Sequence, residues 1–147
     1  MKVVIQRSLY SNVVIENKVF NEISNGLVIF SCFTEGDTTE DISYIIKKIT
    51  NLRIFDDEDG VMNKSILDTD GHILSISQFT LYADTKKGNR PSYIKALNGL
   101  ESIKLYELFN EELNKIVPTV TGIFGADMKV NITNDGPVTI IIDSKNK

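Results

Sequence analysis

The segment Asn134–Thr139, which reads NDGPVT, constrains the fold of this 147-residue chain more than any other segment. It lies between two runs of alternating apolar residues, Met128–Thr133 and Val138–Ile142. Asp-Gly between such runs indicates a tight hairpin, so we expect two strands here. Pro137 follows the glycine directly, however, and proline cannot donate the hydrogen bond that the start of a returning strand needs. From the residues alone, a trans proline that begins an edge strand would account for this position.

The first third of the sequence predicts a sheet. Its fourth strand is a continuous apolar run, which is typical of a strand buried on both faces. The second and third strands are short and are joined around Glu16-Asn17. In chain order, the four predicted strands are Met1–Gln6, Ser11–Ile15, Lys18–Glu22 and Gly26–Phe33.

A helix is predicted to follow. Thr38 or Thr39 can cap its first turn, where the helix dipole favours the acids Glu40 and Asp41. Apolar residues then recur at the spacing of one helical face, while Lys47 and Lys48 face away. This stripe consists of Ile42, Ile45, Ile46, Ile49 and Leu52.

The rest of the chain predicts a further strand and a second helix. Ile73–Leu81 begins as an alternating strand, Asp84–Arg90 is a loop, and Pro91 can open a short helix. Leu100–Ile116 reads as a long helix that Pro118 ends, with an apolar side at Ile103, Tyr106, Phe109, Leu113 and Ile116. The order of elements predicts one domain, residues 1–147, with a mixed α/β sheet and helices packed on one side. A homodimer is one way to cover its exposed strand edges.

The charge of the chain limits its partners. A net charge of −4 and a pI near 5.0 argue against a broad basic face of the kind that coats DNA. Four cations, Lys86, Lys87, Arg90 and Lys95, nevertheless lie close together with no acid between them. They form either a solvated loop or a local contact for phosphate.

The single cysteine, Cys32, lies in an apolar run, so we expect a buried small hydrophobe rather than a reactive thiol. Met1–Gln6 is too short for a signal peptide, and no apolar stretch approaches the roughly 20 residues that span a membrane. We therefore expect a cytoplasmic protein that does not enter a membrane.

The sequence offers little equipment for acid–base or metal chemistry. A Ser-His-Asp site would require the only histidine, His72, which follows a turn. Asp56–Gly60 resembles part of a calcium loop but lacks the later glutamate, so we expect no metal and no cofactor. An enzyme of this composition needs an activated substrate, such as an aminoacyl ester, and backbone N–H groups that stabilise the oxyanion.

Two motifs carry a family resemblance. SQFTLYAD, residues Ser77–Asp84, and NDGPVT, residues Asn134–Thr139, together resemble the two signature motifs of D-aminoacyl-tRNA deacylases. Four more segments resemble the family in the same order: Val3–Arg7, Asn51–Asn63, Asp84–Ser92 and Thr121–Val130. The chain departs from the family at Ser31-Cys32, where the family commonly has Leu-Gly.

The resemblance implies a D-aminoacyl-tRNA deacylase-like fold with a largely antiparallel, barrel-like sheet and two main helices on one side. It also implies a homodimeric hydrolase that cleaves the ester of D-aminoacyl-tRNA, and of glycyl-tRNA mischarged on tRNA(Ala), and rejects L-aminoacyl-tRNA. The implied catalytic wall consists of Ser77, Gln78, Phe79 and Thr80, which would hold the ester and the 3′-terminal adenosine.

The resemblance further implies that Gly136-Pro137 is a cis peptide. One subunit would insert it into the active site of the other and so select the D-enantiomer, with Arg7 and Asn134 in support. Lys86, Lys87 and Arg90 are candidates for tRNA phosphate.

Several alternatives stay open. Thr80 could act as the nucleophile, although no base is placed to activate it, or the 2′-hydroxyl of the substrate could help to place the water. The chain could also be a non-catalytic module that binds D-amino acids or adenosine, or an editing domain detached from a tRNA synthetase. The absence of a fused segment favours a free-standing enzyme over the last.

Overall fold

A computed structural model describes all residues, Met1–Lys147. Short 3₁₀ turns lie at Ile66–Asp68 and Phe79–Tyr82. The elements in chain order are β1 (Lys2–Ile15), β2 (Lys18–Ile23), β3 (Gly26–Cys32), α1 (Thr39–Asn51), β4 (Phe55–Asp56), β5 (Met62–Lys64), β6 (His72–Ser77), α2 (Gly99–Asn114), β7 (Thr119–Thr121) and β8 (Lys129–Asp143).

The long strand β1 organises the main sheet. It pairs antiparallel with β8 along nearly its whole length, with β3 through its first half, and with β2 through its second half. The strands β3, β6 and β7 then continue the sheet in parallel. The sheet is therefore mixed and nearly closed, as in a barrel, and the predicted fold class is confirmed. The strands β4 and β5 form a separate two-stranded sheet.

The two faces of the sheet are buried in different ways. Alternate residues of β1 and β3, such as Ile5 and Ile29, pack with both helices into one large core. The opposite residues, such as Val28, form a smaller core inside the curve of the sheet. Both main helices therefore lie on one side of the sheet, which places the amino-terminal end of α2 beside the ends of β3 and β6.

Local signals predicted the first helix and the first hairpin correctly. The Thr38 side chain accepts a hydrogen bond from the Glu40 N–H at 3.3 Å, and the Thr38 N–H donates to Asp41 Oδ2 at 2.9 Å. Glu16 and Asn17 have φ angles of 50° and 62°, which suit the tight turn between β1 and β2.

The hairpin predicted at Asp135-Gly136 is wrong. A single strand, β8, runs through this position, because β1 pairs with it on both sides of the motif. Gln6 pairs with Thr139 and Ser8 pairs with Asn134, so four residues of β8 project from the ladder opposite Arg7 alone. We call Asp135–Val138 the corner segment.

Other boundaries also differ from the predictions. The first two predicted strands are one continuous strand, β1. The strand predicted at Ile73–Leu81 ends at Ser77 and gives way to a 3₁₀ turn, and no helix begins at Pro91. The second helix ends at Asn114, and Ile116 lies beyond it with half of its surface exposed. No helix is both long enough and apolar enough to cross a membrane.

Candidate active site

A cleft lies beyond the carboxyl ends of β3 and β6. The two strands are parallel, and Ser31 pairs with Ser77 as they enter the cleft. The Gln78 N–H then donates to the Ser31 carbonyl oxygen at 2.8 Å and holds the two strand ends together. The cleft has a volume of about 560 Å³, within the range of small-molecule sites.

Aromatic and hydroxyl side chains line this cleft. The aromatic rings come from the 3₁₀ turn, the loop that follows it, α2 and the segment before β8. The hydroxyls come from the strand ends and the first turn of α2. The rings are Phe79, Tyr93, Tyr106 and Phe124, and the hydroxyls include Ser31, Ser77 and Ser102. The cleft therefore combines flat apolar walls with a few polar groups.

The 3₁₀ turn at Phe79–Tyr82 begins at the edge of the cleft. The first N–H groups of such a turn, here those of Phe79 and Thr80, have no acceptor within the turn. The Cys32 thiol donates to the Phe79 carbonyl oxygen at 3.4 Å. This end of the turn can therefore offer backbone donors to an anionic oxygen, as oxyanion holes do.

The residues predicted for the catalytic wall do not all face the cleft. Ser77, Gln78 and Phe79 line it, whereas Thr80 does not. The Gln78 amide nitrogen donates to Thr80 Oγ1 at 2.6 Å, and no carboxylate or imidazole bonds to that hydroxyl. His72 lies at the opposite end of β6. Thr80 thus has no base partner that would make it a nucleophile.

Cys32 is buried, as predicted. Burial raises the pKa of its thiol from 9.0 to about 11, so the thiolate is scarce at neutral pH. Cys32 contributes to the wall of the cleft as a small hydrophobe with a weak S–H donor.

Arg7 braces the corner segment from β1. It is 8% exposed, and its Nη1 donates to the Ile54 carbonyl oxygen at 2.8 Å. Its Nε lies 2.9 Å from Asp135 Oδ2, in an ion pair whose angle is poor for a hydrogen bond. Arg7 thereby joins the corner segment to the chain just after α1.

Asn134 closes the base of the corner segment. Its side-chain nitrogen donates to the carbonyl oxygens of Arg7 and Val138, each at 3.0 Å. Gly136 has a φ of +113°, and the bond between Gly136 and Pro137 is cis. The cis geometry that the resemblance implies is thus present in the structure.

The cleft and the corner segment lie far apart in a single chain. Ser77 is in register with Ser31, and Ser31 with Val3 of β1. Arg7, which contacts the corner segment, lies four residues further along β1, about 13 Å at the usual rise of a strand. No residue of the corner segment lines the cleft. One chain therefore brings the predicted site residues together as two separate groups.

The predicted tRNA contacts lie in the loop between the 3₁₀ turn and Tyr93, a residue that lines the cleft. Lys86, Lys87 and Arg90 are exposed and form no ion pair, whereas Lys95 pairs with Asp84 at 3.3 Å. The loop that carries them is closed by two backbone hydrogen bonds between Asp84 and Ser92. The ring of Tyr93 then packs edge-on against that of Phe79 at 5.0 Å.

Sequence reasoning missed several residues of the cleft. Tyr106 was assigned only to the apolar side of α2, yet it lines the cleft and its hydroxyl donates to the Ser75 carbonyl oxygen at 2.8 Å. Phe124 and Met128 were noted only as part of a family segment. The sequence marks Ser31 only as a departure from the family pattern. No local pattern marks these residues, because the ends of distant elements bring them together.

Comparisons with known proteins identify the family of this chain. The family model of D-Tyr-tRNA(Tyr) deacylase matches residues 4–143. A D-aminoacyl-tRNA deacylase of Bacteroides fragilis (strain YCH46) is 57% identical, with 100% of this chain and 99% of the relative covered. One from Bacteroides thetaiotaomicron is 55% identical over the same shares.

Two solved structures share the fold. A c-Myc DNA Unwinding Element Binding Protein has a TM-score of 0.92 and 37% identity, with 97% of this chain and 98% of the other covered. A probable eukaryotic D-amino acid tRNA deacylase has a TM-score of 0.82 and 15% identity, with 96% and 97% covered. Because the family model and the Bacteroides relatives match nearly the full length, this chain belongs to the D-Tyr-tRNA(Tyr) deacylase family of hydrolases.

Proposed function

We propose that this chain, as one domain over residues 1–147, is a homodimeric editing enzyme of the cytoplasm, where charged tRNA is used. It hydrolyses the ester of D-aminoacyl-tRNA, and of glycyl-tRNA mischarged on tRNA(Ala), and leaves L-aminoacyl-tRNA intact. The observation that carries the proposal is the separation of the cleft residues and the corner segment within one chain. A two-fold dimer can bring the corner segment of one subunit to the cleft of the other.

The chemistry requires no titrating side chain. The 3′-terminal adenosine occupies the cleft, and the ester carbonyl lies at the start of the 3₁₀ turn. Water attacks the carbonyl carbon, the N–H groups near Phe79 and Thr80 stabilise the oxyanion, and the ribose oxygen leaves with a proton. Gln78 orients this segment. The 2′-hydroxyl of the substrate assists in placing the water, so the substrate supplies the group that the protein lacks.

The corner segment of the partner subunit distinguishes D- from L-aminoacyl groups. Its backbone carbonyl groups bind the α-ammonium of the substrate, which together with the ester carbonyl fixes two points around the α-carbon. The wall at the third position leaves room for hydrogen only. An L-residue would place its side chain on that wall, whereas a D-residue directs it towards solvent. Glycine has no side chain to exclude and is therefore cleaved as well.

Release of amino acid from D-tyrosyl-, glycyl- and L-tyrosyl-tRNA tests the proposal. We expect rapid release of D-tyrosine and glycine and no enzyme-dependent release of L-tyrosine, because only the L side chain meets the wall. The mass in solution is measured on the same sample and should be that of two chains. Equal release of the two tyrosine enantiomers would contradict the account of selectivity. No release from any substrate would favour a non-catalytic binding module.

Lys86 and Lys87 should contribute to affinity for tRNA without affecting selectivity. Changing both residues to Ala should raise the KM for D-tyrosyl-tRNA several-fold and reduce the dependence of KM on salt, because each phosphate contact adds to that dependence. The ratio of D- to L-tyrosyl-tRNA hydrolysis should stay unchanged. Lys18 and Lys47, exposed lysines that do not line the cleft, provide the control pair when both are changed to Ala. An unchanged salt dependence in the Lys86, Lys87 variant would show that these lysines form only a solvated loop.

A further inference from the structure

The hydroxyl of Ser31 is a buried polar group that the protein does not satisfy. Ser31 is 2% exposed, and its Oγ has no hydrogen-bond partner in the chain. It lies at the carboxyl end of β3, where it lines the cleft beside Ser77. Its backbone is fixed, because its carbonyl oxygen accepts the Gln78 N–H at 2.8 Å. Ser31 therefore holds a buried, unpaired hydroxyl in the wall of the cleft, on a backbone that is held in place.

A second serine provides a comparison within the same sheet. Ser75 of β6 is 0% exposed and its Oγ also lacks a partner, but it does not line the cleft. A buried hydroxyl without a partner costs free energy in either position. Only that of Ser31 can regain a hydrogen bond when a ligand enters the cleft.

The other walls of the cleft indicate which part of a ligand reaches Ser31. Phe79 and Tyr93 pack edge to face, while Tyr106 and Phe124 pack at a tilt of 49° with ring centroids 5.7 Å apart. Aromatic walls suit a nucleobase, because any of the bases can stack on an aromatic ring. A serine hydroxyl both donates and accepts, and it thus matches the adjacent amino group and ring nitrogen on the edge of adenine.

We propose that Ser31 Oγ hydrogen-bonds the edge of the 3′-terminal adenine and is a specificity-determining residue of this site. The inference rests on the proposed function in that it takes the terminal nucleoside of tRNA as the occupant of the cleft. The hydroxyl sets the depth and the rotation of the base, which in turn places the ester at the 3₁₀ turn.

Titration with free adenosine tests the contact, with NMR shifts as the readout of binding. Ser31→Ala should weaken the binding of adenosine by about 5–10-fold, the usual effect of one lost hydrogen bond. Ser31→Cys keeps the size of the side chain with a poor donor and should behave like Ser31→Ala. Ser75→Ala, which removes an equally buried hydroxyl outside the cleft, should bind adenosine as the unchanged protein does.

Purine riboside, which is adenosine without its amino group, tests whether the Ser31 hydroxyl recognises the amino edge of the base. The unchanged protein should prefer adenosine to purine riboside, and Ser31→Ala should lose most of that preference. An equal loss for both ligands would overturn the contact with the amino edge, and Ser31→Ala binding like Ser75→Ala would overturn any role of the hydroxyl. Deacylation of D-tyrosyl-tRNA by the same proteins reports on the proposed function separately. Normal turnover with unaltered adenosine binding in Ser31→Ala would refute only the present inference.

Discussion

Gly136→Ala is expected to lower the rate of D-tyrosyl-tRNA deacylation by at least about 100-fold, the usual cost of displacing a positioning group by about 1 Å. A Cβ at this position would lie 2.9 Å from Val138 Cγ2 and 3.1 Å from Arg7 Nη2. The φ of +113° is also one that residues with side chains rarely adopt. The corner segment must therefore shift, and Arg7, which is buried and held by Ile54, has little room to follow. The measurement is single-turnover release of D-tyrosine.

Gly60→Ala is the matched control for backbone strain. Gly60 has a φ of +75°, and a Cβ there would meet nothing within 4 Å. It lies in the exposed turn between β4 and β5. This variant should show a similar cost in thermal stability but nearly full activity. A Gly136→Ala variant that retains most of its activity would rule out the corner segment as a rigid part of the site.

Mixing two inactive variants is expected to restore activity. Gly136→Ala damages the corner segment and leaves the cleft intact, while Ala126→Trp fills the cleft and leaves the corner segment intact. If each site combines the cleft of one subunit with the corner segment of the other, a mixed dimer contains one site in which both parts are sound. Random exchange of subunits would then recover about a quarter of the full activity, since half of the dimers are mixed and each has one working site.

Subunit exchange is followed with chains of different mass, and activity is measured before and after exchange. Each variant subjected to exchange alone should stay inactive, which excludes recovery by refolding. If mixed dimers form and no activity returns, the two parts of the site do not come from different subunits. The experiment thus separates dimerisation from the sharing of a site.

Local signals in the sequence predicted much of the fold. The continuous apolar run at Gly26–Phe33 predicted β3, and the Thr38 cap with its acidic first turn predicted the start of α1. Both predictions rest on local conformational preferences that a few neighbouring residues show. The family motifs also pointed to the cleft through Ser77 and to the corner segment through Gly136.

The errors occurred where distant segments decide the local structure. Asp135-Gly136 would close a hairpin in isolation, but the pairing of β8 with β1 on both sides of it keeps the strand continuous. Thr80 was predicted in the catalytic wall, but it does not line the cleft, and its hydroxyl accepts a hydrogen bond from the Gln78 amide. The sequence marks Ser31 only as a departure from the family, because the burial of its unpaired hydroxyl depends on elements that are distant along the chain.

The continuity of β8 also affects how firmly the corner segment is held. A loop at the tip of a hairpin is attached to only one end of a strand ladder, so it can move when that end of the ladder moves. The corner segment is instead flanked by paired residues on both sides, Asn134 with Ser8 and Thr139 with Gln6. The corner segment could therefore tilt only if the pairing of β8 with β1 were first broken on one side of it.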